Sequence, residues 1–189
     1  CVYSAGGVYA HGTMNLTQCG NPVTYAAPIP DPYADVPEPA NSGSCNSKNI
    51  GKNNRTTVVT ASDYHASGMQ SKRFCGGLWP KGDVVFEPGL YIIDGGTFKV
   101  NGQTSLTSPY GEVMFYLVNG ASISFNGGGD LDLQGPTSGT YSGIMIFGSR
   151  NHDSGAGGSN AQHKINGGAN ASLQGAIYMP TQDISFSGN

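Results

Sequence analysis

A short motif returns through the C-terminal half of the chain, and its spacing restricts the folds open to it. Phe98-Lys99-Val100-Asn101-Gly102 is followed 25 positions later by Ile123-Ser124-Phe125-Asn126-Gly127. The next copy, His163-Lys164-Ile165-Asn166-Gly167, stands 40 positions further on, and Ile184-Ser185-Phe186-Ser187-Gly188 another 21. The additional 15 positions in the long step (40 − 25) match a Gly/Ser/Asn/His-rich stretch, Gly148–Gln162, that reads as an inserted loop. Flanking runs keep the same spacing. Tyr91-Ile-Ile93-Asp94-Gly95 lies 25 before Tyr116-Leu-Val118-Asn119-Gly120, and Leu131-Asp-Leu133-Gln134-Gly135 lies 40 before Ala171-Ser-Leu173-Gln174-Gly175.

Each repeat carries about three short runs rich in Val, Ile, Phe and Tyr, ended by Asp-Gly, Asn-Gly or Gly-Gly, and no segment reads as a helix. Asn-Gly alone would suggest hairpins. A fixed repeat of three strands instead predicts a right-handed parallel β-helix, one turn per repeat, with turns stacked at the strand spacing of ~4.8 Å. Equivalent side chains then align. Val100, Phe125, Ile165 and Phe186 are expected in one interior column. Asn101, Asn126 and Asn166 are expected in a second, at a corner, because Asn tolerates the left-handed backbone and its amide bonds to the copies above and below.

The remaining chain is less regular. Residues 22–40 hold Pro22, Pro28, Pro30, Pro32, Pro37 and Pro39, which block helix and central strand, so an extended surface connector is expected. Residues 41–80 are polar apart from Thr56–Thr60, and regular alternation begins near Val84. The organisation predicted is an N-terminal segment with connector over 1–40 and the repeat domain over 41–189. Charged residues make up 11% and the net charge is −3. With nine basic residues, nucleic acid is not the expected partner. No run approaches the ~20 apolar residues of a membrane helix. No signal peptide is visible, which suggests a mature or excised segment.

The cysteines are Cys1, Cys19, Cys45 and Cys75. None forms a CxxC pair, so zinc is not expected, and the even count points to two disulfides in an oxidising, extracytoplasmic compartment. Three pairings are open. Cys1–Cys19 with Cys45–Cys75 is preferred because each closes a local loop. Cys1 also has a reading as the lipidated first residue of a lipoprotein, which would leave Cys19 without a partner.

Several stretches resemble the secreted C-terminal region of TadG-like proteins of the bacterial Tad (tight adherence, or Flp) pilus-assembly group. They are Pro88-Gly-Leu-Tyr-Ile-Ile-Asp-Gly-Gly96, Phe115-Tyr-Leu-Val-Asn-Gly-Ala-Ser122, Gly135–Phe147 and Gly175–Asn189. The Cys45…Cys75-Gly-Gly pattern and the Asp31-Pro-Tyr-Ala-Asp…Pro-Glu-Pro segment are similar too. The resemblance covers most of residues 20–189. It implies a structural role in the envelope, with no catalytic residues to carry over. The family's N-terminal membrane helix has no counterpart in this sequence, and its chain usually continues past the Phe-Ser-Gly-Asn turn.

Parallel β-helices often act on polysaccharides, so an enzyme is the serious rival. Asp130 and Asp132 alternate onto one face, where paired carboxylates do acid–base work. The plainer reading is a solvated face opposite Leu131 and Leu133. Asp94, Glu112 and Asp183 fall on different turns. His152 and Asp153, with Ser149 and Ser154, lie in the inserted loop, a poor holder for a nucleophilic triad. His163 is in register with Phe98 and Ile123 and reads as packed. Gly127-Gly-Gly129 precedes no helix and reads as a turn rather than a phosphate loop. The sequons at Asn15, Asn54 and Asn170 matter only on a eukaryotic secretory path. Trp79 and the tyrosines would suit a sugar platform, although strand aromatics more often pack inside. The expectation is a non-catalytic component of a bacterial surface appendage, without metal or cofactor, assembling as a homo-oligomer or filament through its ends. A carbohydrate-binding, adhesive module is the alternative, ahead of a polysaccharide-active enzyme.

Overall fold

The computed structural model describes residues 2–4, 8, 20–151, 163–166 and 171–187. Two compact units divide the chain, Cys1–Val36 and Pro37–Asn189. In the first, β1 (Tyr3–Ser4) and β2 (Val23–Thr24) pair in parallel. The boundary falls inside the proline tract, so residues 37–40 go with the repeats.

The second unit is all β, with no helix among the described residues, and its strands form a single 14-stranded sheet. In chain order these are β3 (Cys45–Asn46), β4 (Asn49–Val59), β5 (Asp63–Tyr64), β6 (Gln70–Phe86) and β7 (Gly89–Val100). Then come β8 (Thr104–Thr107), β9 (Val113–Val118), β10 (Ser122–Phe125), β11 (Asp130–Gln134) and β12 (Ile144–Gly148). The last four are β13 (His163–Asn166), β14 (Ala171–Gln174), β15 (Ala176–Tyr178) and β16 (Ile184–Ser187). All pairings are parallel except β5 on β6. They sort into three ladders. One runs β3, Ser71–Cys75 of β6, Gly89–Asp94 of β7, β9, β12 and β15. The second runs Gly77–Leu78 of β6, Thr97–Val100 of β7, β10, β13 and β16. The third runs β4, Gly82–Val85 of β6, β8, β11 and β14. From β6 onward the chain visits the ladders in this order.

The sheet starts earlier than the pattern of apolar residues suggests. β3 to β6 lie within the polar stretch, and β6 passes through all three ladders, bending at Gly76-Gly77 and near Gly82. The glycines there are corners. Gly96 has φ +65°, and a Cβ on it would stand 2.3 Å from the Gly76 carbonyl oxygen. Only a residue without a side chain lets successive corners approach so closely.

One register differs from the sequence alignment. Tyr91 pairs with Phe115 and Ile92 with Tyr116, an offset of 24 rather than 25. The odd residue is Ala121, buried in the corner before β10. Because side chains alternate faces, this placement keeps Tyr91, Ile93, Phe115 and Leu117 in the same apolar cluster. The 25-residue offset holds in the next ladder, where Phe98 pairs with Ile123 and Val100 with Phe125. Rings of Phe86, Tyr91, Phe98, Phe115 and Phe125 meet in sequence, with neighbouring centroids 4.9–5.7 Å apart. Such edge-to-face and tilted contacts add to the burial itself.

Two ties fix the start of this unit. Cys45 and Cys75 are disulfide-bonded, Cα–Cα 5.5 Å, across 30 residues. In the chain-entropy model this contributes ~3–4 kcal/mol. Glu38 is the second tie. Its carboxylate accepts from Tyr116 Oη at 2.6 Å, from Ser149 Oγ, and from the Arg150 amide at 3.2 Å. Pro39 is buried. The end of the proline tract is therefore packed into the repeat unit, not merely laid on it.

Phe125 is 2% exposed, and Phe125→Asp would bury a charge that nothing pairs. We expect a loss of several kcal/mol, enough to abolish the cooperative urea transition. Ser124, half-exposed and in register between Lys99 and Lys164, should accept Asp within ~0.5 kcal/mol. Equal stability of the two variants would place Phe125 outside the core.

Candidate functional site

The residues singled out in the sequence divide into three groups. Cys1 and Cys19 lie outside the described residues, as do His11, His152, Asp153, Ser154, Asn15, Asn170 and the inserted loop beyond Asn151. The Asn column is assembled. Asn126 Nδ2 donates to Asn101 Oδ1 and Asn166 Nδ2 to Asn126 Oδ1, both at 3.3 Å, and Ser187 Oγ donates to Asn166 Oδ1. None of the three asparagines has positive φ. The left-handed backbone is used instead at Asn119, with φ 52°, so the amide ladder alone accounts for the column.

Val100, Phe125, Ile165 and Phe186 are in register. Their exposures run 1%, 2%, 9% and 66%. Phe186 is thus exposed in the described residues, where it was expected to be interior. The first three are each covered by the following copy, and no described strand follows β16.

Several of the titratable groups are tied into structure. Asp130 and Asp132 are exposed while Leu131 and Leu133 are buried. Arg73 Nε donates to Asp94 Oδ2 at 3.0 Å, with an ion pair beside it, and Asn119 Nδ2 donates to Asp94 Oδ1 at 2.7 Å. Partial burial alone would raise the Asp94 pKa. The bonds from Arg73, Asn119 and Asn41 and the Arg73 charge outweigh it and hold the carboxyl below its usual range. Glu112 accepts from the Thr137 amide and hydroxyl. Asp183 takes part through its carbonyl, which accepts from the His163 amide. His65 is buried, one ring nitrogen by Ser67 Oγ and the other 3.0 Å from the Ala40 carbonyl. In buried His163, Nδ1 accepts from the Ile123 amide at 3.1 Å, so Nε2 carries the proton toward Gln182 Oε1 at 2.8 Å. That ring closes a ladder. No cluster of His, Cys, Asp and Glu suited to a metal occurs among the described residues.

Two features are not absorbed by internal bonding. The first is the edge formed by β14, β15 and β16, each paired on one side only. Leu173, Ile177, Met179 and Ile184 there are only partly buried. On the opposite side of the sheet, β4 exposes Lys52, Asn53, Asn54 and Arg55 together with Val58. The second is a groove of about 360 Å³ where β6 meets the β7–β8 corner, lined by Trp79, Lys81, Lys99, Asn101 and Gln103 among others. Trp79 is 38% exposed, with Lys48 Nζ 4.3 Å from its ring centroid. Reading Trp79 as a core aromatic misses this. The outward alternation of Trp79, Lys81 and Asp83 along β6 was the available signal.

No protein-family model, curated protein or solved structure matches the chain. Among the described residues no helix is long and apolar enough to cross a membrane.

Three phenols give the fold a pH limit. Burial, then the Glu87 charge, raises the Tyr91 pKa. Burial, then the bond and charge of Glu38, raises Tyr116. Burial and Glu38 raise Tyr141. Their folded pKa values lie above the unfolded value of about 10. Their contribution is therefore complete below about pH 10 and declines above it, as the unfolded state ionises first. The melting temperature should fall steeply above that pH, and a Tyr91→Phe/Tyr116→Phe variant should fall less steeply from its own lower baseline. Identical slopes would show that other groups carry the alkaline transition.

Proposed function

We propose that this chain is a non-catalytic structural component of a bacterial surface appendage or of its assembly, wound as a right-handed parallel β-helix and joined to other copies through the open edge of its last repeat. The fixed order in which the chain visits three parallel ladders supports the winding. The right hand follows from the strong preference of parallel crossover connections. The likeness to the secreted region of TadG-like proteins supports the setting, and the Cys45–Cys75 disulfide fits an oxidising compartment.

One observation carries the assembly reading: exposure rises from 2% at Phe125 to 9% at Ile165 and 66% at Phe186 along one registered column. An unpaired strand edge with apolar side chains is a template for another strand. The β4 edge carries the exposed charges of Lys52 and Arg55, residues of the kind that keep edges from pairing. Like edges meeting about a two-fold axis would bury both apolar ends, and this arrangement is favoured over an open head-to-tail filament.

Sedimentation across the micromolar range should show reversible dimers, and Phe186→Glu should shift the equilibrium toward monomer by at least about tenfold, or ~1.4 kcal/mol. Filaments by electron microscopy would replace the two-fold arrangement with the head-to-tail one. A wild-type chain that stays monomeric throughout would remove self-assembly through this edge.

A further inference from the structure

The groove beside Trp79 is lined by donors that have no protein acceptor among the described residues. The indole N–H has no acceptor among the described residues, and Lys81, Lys99 and Gln103 make no ion pair or side-chain hydrogen bond there. Asn101 accepts from Asn126 through its oxygen, so both amide hydrogens remain free at the end of the Asn column. Elsewhere in the fold, the partly buried Asp94 and Glu112 and the exposed Asn119 are bonded to neighbouring strands or corners. No carboxylate lines the groove, although the chain carries a net charge of −3.

The backbone beside it is also unusual. Gln103, which lines the groove, has φ 72°, a left-handed conformation that non-glycine residues seldom adopt. Backbone strain of this kind clusters at ligand sites. The volume, about 360 Å³, falls within the ~300–1,000 Å³ range of small-ligand sites.

We propose that this groove binds an acidic polysaccharide, taking a uronate sugar with its apolar ring face against Trp79 and its carboxylate between Lys81 and Lys99. A pyranose offers C–H groups to an aromatic face, hydroxyls that accept from amide N–H, and, in a uronate, a fixed negative charge. The groove supplies the complement of each: an exposed indole, the amides of Asn101 and Gln103, and two uncompensated ammonium groups. Lys48, which lies over the indole ring, does not line the groove. The site is far in sequence from β16 and does not depend on the assembly reading.

Trp79 is the only tryptophan in the chain, so its emission reports on this groove alone. Titration of the intact protein with an oligogalacturonate should give a saturable change in tryptophan fluorescence. The fully methyl-esterified oligomer, which keeps the ring and loses the charge, should bind at least about tenfold more weakly, as should the Lys81→Gln/Lys99→Gln variant with unchanged melting temperature. Calorimetry on Trp79→Ala should show the same loss. No spectral change up to millimolar oligomer would overturn the proposal. So would equal binding of the esterified form, or wild-type affinity in either variant.

Discussion

The whole repeat unit depends on in-register parallel pairing, in which each copy's apolar side chains are covered by the next. A strand here has little stability by itself. Val100 is buried because Phe125 lies on it, and Phe125 because Ile165 follows. These side chains join one continuous apolar cluster that runs from Val59 to Ile165. Corners must then be thin, which accounts for the glycines facing one another at Gly76 and Gly96. Corner side chains must also satisfy each other from copy to copy, which accounts for the chain of amides from Asn101 to Asn166.

A ladder of this kind has a cost at its ends, and the two ends differ. The first copies are held by the Cys45–Cys75 bond, by the antiparallel strand β5, and by the exposed charges of β4. Glu38 adds a tie across the outer face of β9, where Tyr116, Phe147 and Tyr178 form a second aromatic layer beneath Arg150. Among the described residues, β14, β15 and β16 are each paired on one side only.

Much of the all-β character was legible because the motif spacing is visible in 25 and 40 residue steps, and strands that pair in parallel repeat their side chains in phase. What escaped detection has physical reasons. The alignment of Tyr91 with Tyr116 misplaced one ladder by a residue, because apolar side chains fill both faces of β9 and alternation is lost there. Early strands β3 to β5 were hidden by polar sequence, since their outward faces and free edges lie in water. The in-phase placement of Phe186 was legible from the spacing, while its 66% exposure was not, because periodicity gives register and not burial. The groove was missed because Lys99 and Gln103 come into reach of Trp79 only when successive copies stack.

Residue-resolved native-state hydrogen exchange tests the dependence of each copy on the next most directly. Amides of β10 should be protected to the level of global unfolding, those of β13 less, and those of β16 least, in dilute protein. Raising the concentration should increase protection in β16 first, as its free edge becomes paired. Protection in dilute β16 equal to that in β10, or no response of β16 to concentration, would contradict the account.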